Sequence, residues 1–109
     1  MMKAYLIDPY EKSIDIVDYQ GYDDITQYLD CALFDVIRIN DDGDCIYVDD
    51  EGLYRQPQSF WAYGTYIHPI AGKGLILGCD MSTGDTRPPR KVSRKTLEEN
   101  VRWLTDAQT

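Results

Sequence analysis

One histidine and three cysteines are all that this sequence offers to soft-metal chemistry and to nucleophile–base catalysis. Cys31, Cys45 and Cys79 are odd in number and far apart, without the paired C-x-x-C spacing of a zinc site. They read as reduced, mostly buried residues of a cytosolic protein. His68 is the only candidate base for a Ser- or Cys-centred arrangement, and no nucleophile context accompanies it. Positive charge is scarce as well: 11 Lys+Arg against 19 Asp+Glu give a formal net charge of −8. Such a balance argues against general binding to DNA or RNA, which needs a basic face. It repels anionic membranes and suits a basic protein partner or a cation. There is no run of about 18 apolar residues, so no transmembrane helix is expected. The opening MMKAYLIDPY has only a short apolar run before Asp8 and Pro9 and does not read as a signal peptide. The expected location is the cytoplasm.

What is present is acid and tyrosine. At 109 residues the chain reads as one domain. Residues 1–86 hold 16 acids and 5 bases, whereas residues 87–109 hold 3 acids and 6 bases. Nine Tyr supply most of the aromatic content. The densest acidic stretch is DDGDCIYVDDEG, residues 41–52, with six carboxylates around a short apolar centre.

Strand patterning comes first along the chain. KAYLID (residues 3–8) and SIDIVDY (13–19) read as a hairpin across a short turn. GYDDITQYLDC changes period: Ile25, Tyr28 and Leu29 share a helical face, with Asp23 as N-cap and Asp24 at the positive dipole end. A short helix over 23–30 follows. LFDVIRI (33–39) is the strongest strand signal, and Asp42-Gly43 is a favoured two-residue hairpin pair leading back into CIYVD (45–49). DEG (50–52) is a second turn. QPQSFWAYG mixes Pro57 with Phe60, Trp61 and Tyr63 and reads as part loop, part aromatic segment. TYIHPI is limited by Pro69 to an edge or a strand end. A turn at Gly72 to Gly74 leads into a buried strand over 75–79.

MSTGDTRPPRK (81–91) has little to bury and reads as a linker. Beyond it, Thr96-Leu97-Glu98-Glu99 fits a capping box, and Leu97, Val101 and Leu104 form one apolar stripe. The expected fold class is α+β: a small antiparallel sheet of five to six strands, one short inserted helix, and a C-terminal helix on a Pro-rich tether. The expected organisation is a core over 1–80, a basic linker over 81–95 and a helix over 96–106.

No constellation specifies a cofactor or a metal. Asp41, Asp42 and Asp44 are bunched around Gly43 and lack the alternate spacing and closing Glu of a calcium loop. AGKG lacks the remainder of a phosphate-binding loop, and a strand rather than a helix follows it, although Lys73 beside flexible backbone offers an anion contact. The acids, Asp44 included, read chiefly as a solvated face. Their alternative is an acidic surface that imitates nucleic acid in the groove of a DNA-binding protein. The basic segment RPPRKVSRK offers an acidic partner a contact, or docks back on the acidic body.

The order of several short motifs resembles a known family. An opening strand ending in LIDP, a helix leading to LDC, FDVIRI, VDDEGL, a polar-aromatic stretch and GKGLILGCD look like domain-of-unknown-function family 3846, small proteins of tailed phages and prophages. The resemblance covers about residues 2–80 and leaves the C-terminal helix outside. It implies a non-structural phage accessory protein in the bacterial host cytoplasm, of a kind that alters or inhibits host functions, and it carries over no catalytic residue.

The residues therefore point to a non-enzymatic protein that binds a host protein or a small nucleotide-like ligand. An acidic DNA mimic is the first alternative, and a small nucleotide-acting enzyme using His68 or a carboxylate pair is the second. Candidate contacts are Asp49, Asp50, Glu51, Tyr54, Arg55, Phe60, Trp61, Tyr63 and Lys73, because aromatic rings beside Arg and flexible backbone suit protein hot spots and nucleobases. A sheet edge and a tethered helix also lead us to expect a homo-oligomer.

Overall fold

The computed structural model describes residues 2–51, 59–64, 66, 68–80, 82–83 and 85–104. The fold is α+β, as the pattern predicts. Strands β1 (Met2–Asp8) and β2 (Ser13–Tyr19) form the first hairpin, followed by helix α1 (Tyr22–Leu29). Then come β3 (Phe34–Arg38), β4 (Asp44–Asp49), β5 (Phe60–Tyr63), β6 (Ile70–Ala71) and β7 (Gly74–Cys79). The chain continues through β8 (Thr86–Arg87), helix α2 (Arg94–Asn100) and β9 (Val101–Leu104). The main sheet runs β2-β1-β7-β4-β3, with β8 added to the far end of β7, and the pairings are antiparallel. A second small sheet runs β6-β5-β9.

The main sheet is covered on both faces, which explains the unbroken apolar run in β7. Alternation sends Leu75 and Leu77 towards α1, where they meet Tyr19, Ile25, Leu29 and Tyr47. Ile76 points the other way and packs with Ile46, Trp61, Ile70 and Leu97 beneath the second sheet and α2. Trp61 locks the two sheets together. It is fully buried, and its indole N–H donates to the Gly72 carbonyl at 3.0 Å. A Cβ on Gly74 would lie 2.5 Å from the Trp61 ring, so this central strand has to begin with glycine.

The β3–β4 turn is built differently from the two-residue hairpin that Asp42-Gly43 suggests. Asn40 to Gly43 form the loop, closed by Ile39 N–H donating to the Asp44 carbonyl at 3.0 Å. Among the turn residues only Gly43 has positive φ, at 91°. A two-residue type I′ turn would need two such residues. Asn40 shapes the loop instead, because its side-chain oxygen accepts from the N–H groups of Asp42 (2.9 Å) and Asp44 (3.1 Å).

Asp44 is the main departure from the sequence reading. It is completely buried on the face covered by the second sheet, not solvated in a turn. Its carboxylate accepts three successive backbone N–H groups: Arg90 at 2.7 Å, Lys91 at 2.8 Å and Val92 at 3.0 Å. The Asn40 amide adds a fourth bond at 3.0 Å. Burial works against the charged form, but these four bonds outweigh it and hold the carboxyl below its ordinary value. The basic segment is thereby docked as a strap. Its backbone faces Asp44 while Arg90, Lys91, Arg94 and Lys95 remain exposed. Arg87 at its start lies across Gly43 and Gly78, and its guanidinium donates to the Asp42 carbonyl.

Both helix starts also differ by a few residues from the patterned ones. Gly21 occupies the cap of α1, and Asp24 accepts from the Gln20 N–H at 2.7 Å. Ser93, rather than Thr96, caps α2 by accepting from the Thr96 N–H. The C-terminal helix is present but ends at Asn100. Residues 101–104 pair along the whole of β5, from Tyr63↔Val101 to Phe60↔Leu104. Val101 and Trp103 are strand formers, and backbone pairing there overrides the helical spacing of Leu97, Val101 and Leu104.

Two outcomes follow for stability. Asp44→Ala removes the acceptor of three strap N–H groups from the interior and is expected to destabilise the fold by about 3–5 kcal/mol in urea unfolding, with faster proteolysis in residues 87–95. Because the folded carboxyl titrates below its unfolded value, its contribution is intact at neutral pH and is lost as pH falls below about 4. The stability difference between wild type and Asp44→Asn should shrink over that same acid range.

Candidate functional site: an acid-rimmed cleft beside the second hairpin

A cleft of about 200 Å³ opens where the β3–β4 hairpin meets β6. Its apolar floor is Ile37, Val48, Ile70 and Ala71, and its rim carries Asp35, Asp49, Asp50, Tyr66 and Pro69. Register explains the grouping. Asp35 pairs with Val48 and Ile37 with Ile46, so Asp35 and Ile37 project on the face that the second sheet covers. β4 ends at Asp49, and the Asp50 N–H donates to the Leu33 carbonyl at 3.1 Å. That bond fixes the start of the following turn at the mouth of the cleft. The Glu51 N–H donates to the Asp49 carboxylate at 2.9 Å and tightens the turn further.

Asp35 and Asp50 form the electrostatic centre of the rim. The Asp50 carboxyl is raised above its ordinary value because the Asp35 carboxyl hydrogen-bonds to it and opposes its charge. Two carboxyl groups at one opening concentrate negative charge there and attract a cation. Tyr66 meets His68 edge-on, with ring centroids 5.5 Å apart and planes at 69°. Among the described residues no group of three or more His, Cys, Asp or Glu is placed to hold a metal ion. The Cys45 thiol is unsuited to nucleophilic chemistry: burial is the main cause that raises its pKa, which disfavours the thiolate.

The candidate contacts divide sharply. Asp49 and Asp50 line the cleft, and Glu51 follows in the same turn. Trp61 is fully buried and Tyr63 nearly so, and both serve the core. Phe60 is half-buried on β5 opposite Ala71 and Leu104, and Lys73 is half-buried in the turn before β7. Tyr54 and Arg55 lie outside the described residues. Asp35 is the rim residue that the sequence pattern does not single out. Its signal is a lone carboxylate within the strongest apolar strand.

Fold and site together define a small α+β domain, sheeted in two layers, with an acidic cleft at one corner. The chain belongs to the family described as Domain of unknown function (DUF3846), which matches residues 2–100. The match extends past residue 80 and so includes the strap and α2, in keeping with their attachment to Asp44. The chain is 32% identical over 92 residues to the Uncharacterized protein y4iR of Sinorhizobium fredii (strain NBRC 101917 / NGR234). That alignment covers 82% of this chain and 56% of the relative, so the chain spans little more than half of that protein's length. No solved structure matches. Among the described residues, no helix is long and apolar enough to cross a membrane.

The carboxyl pair yields a direct measurement. Asp35→Asn removes the opposing charge, so the Asp50 carboxyl should titrate lower when followed by carbon-detected NMR. A raised folded pKa also means that stability is lost as pH rises through it. Asp35→Asn should therefore gain stability over wild type at pH 7, and the gain should vanish at pH 3.

Proposed function

We propose that the protein is a non-enzymatic binding protein whose partner inserts a cationic side chain into the Asp35–Asp50 cleft. The observation that carries this reading is a carboxyl pair held at the rim of an apolar floor. A lysine or arginine matches both parts, with its aliphatic stem on Ile37 and Val48 and its charged head at the carboxylates. The acidic rim disfavours a nucleotide, whose phosphates it would repel. Between the two ligand classes that the sequence suggests, the geometry favours a protein.

In the setting that the family resemblance implies, the protein acts as a phage or prophage accessory factor in the bacterial cytoplasm and restrains a host protein by occupying it. The DNA-mimic alternative is weakened by one fact: Asp44, in the middle of the acidic stretch, is buried and engaged.

The test compares two double variants in binding to an oligolysine peptide. Asp35→Asn with Asp50→Asn should weaken binding by about tenfold or more, equivalent to about 1.4 kcal/mol. Asp41→Asn with Asp42→Asn, at the other end of the hairpin, removes the same charge and should weaken it far less. Equal losses would mean that general acidity, not the cleft, attracts the peptide. Affinity should also rise with pH through the range in which Asp50 ionises, because the cation is attracted to the charged carboxylate.

A further inference from the structure

The cleft lies beside a sheet edge whose outward hydrogen-bonding groups meet no strand among the described residues. β3 ends the main sheet, and among the described residues no strand pairs with its outer side. Two hydrogen bonds fix which backbone groups face outward. Ile39 N–H to the Asp44 carbonyl and Asp50 N–H to the Leu33 carbonyl place Leu33 and Ile39 at positions bonded to the β4 side. Antiparallel alternation then turns the N–H and C=O groups of Phe34, Val36 and Arg38 away from the sheet.

The two faces of that edge differ in chemistry. On the α1 face, Val36 is 47% exposed and Tyr22, on α1 itself, 54% exposed. Phe34 joins them through a stacked contact with Tyr22, at 5.9 Å between centroids and 18° between planes. On the opposite face, Asp35 projects towards the cleft and Asp50. An added strand would therefore meet an apolar surface and a carboxylate at alternate residues.

We propose that the outer edge of β3 receives an extended segment of a partner protein as an additional strand, with lysine or arginine facing Asp35 and apolar side chains facing Val36. This rests on the cationic-cleft reading above and supplies its geometry: backbone pairing gives affinity, and the alternating side chains give selectivity. Charge decides against a second copy of this chain as the occupant. A copy of β3 would bring its own Asp35 to a rim that is already acidic, and like charges at adjacent strands repel.

The experiment uses the full chain labelled with nitrogen-15 and a short capped peptide of alternating valine and lysine. Binding should shift the amide signals of Phe34, Val36 and Arg38 and slow their exchange with deuterated solvent. The same peptide with its strand-facing N–H groups methylated should bind about tenfold more weakly, as should the unmodified peptide to Asp35→Asn. A valine–glutamate peptide should not bind. If the methylated peptide binds equally well and Asp35→Asn weakens both, the cationic cleft stands and strand addition is overturned. If no lysine peptide binds, both readings fall. If the amide shifts depend on protein concentration without peptide, the edge pairs with a second copy and the heterotypic proposal is overturned.

Discussion

The fold is organised around one buried carboxylate. Asp44 starts the central hairpin strand β4 and accepts the N–H groups of Arg90, Lys91 and Val92, nearly fifty residues later in the chain. Three successive amides curled around an anion form an arrangement that proteins commonly use for phosphate. Here the anion belongs to the protein itself. The tie brings Val92 and Leu97 over Ile46 and Ile76, and α2 then directs β9 onto β5. Without it, one face of the main sheet would lose a large part of its cover. The charge is tolerated in the interior because both oxygens are fully engaged, and a half-satisfied carboxylate there would be worse than none.

The same arrangement explains how a strongly acidic chain retains a basic segment without wasting it. The strap's backbone is used inward and its cationic side chains remain outside. The Asp35–Asp50 rim lies at one end of the β3–β4 hairpin, and the basic ridge along residues 90–95 is docked at its other end. The polarity gives the molecule a direction in which a charged partner would approach.

Sequence reading served well wherever local pattern and tertiary structure agree. The strands at Lys3, Ser13, Val36 and Leu75, the short helix around Ile25 and the helix at Leu97 were all legible, because alternation and the 3.6-residue period mark their buried faces. Three features were not. The role of Asp44 depends on residues 90–92, and no local rule reveals a partner so distant. β9 was hidden because Leu97, Val101 and Leu104 happen to fit a helical stripe, while the deciding factor was a free edge on β5. Trp61 and Tyr63 resembled a recognition surface because aromatic residues serve cores and interfaces alike; Gly74, which admits the Trp61 ring, was the overlooked clue. At the site, the turn acids Asp49 and Asp50 were found, but Asp35 was singled out only once register placed it beside them.

The long reach of the Asp44 tie has a kinetic consequence. A chain synthesised from its N-terminus presents β1 to β7 before residues 90–104 become available. Until then, the Asp44 carboxylate lacks its three amide donors and the Ile46–Ile76 face is uncovered. The domain is thus poorly suited to folding stepwise as it is made; residues 90–104 act as a clasp that closes only after synthesis has passed them. Loops of such sequence separation are slow to close, since their entropy is lost before any contact repays it. The interval before closure is when this protein is most exposed to aggregation or proteolysis, and the acidic charge on its first 86 residues is well placed to keep it soluble during that wait.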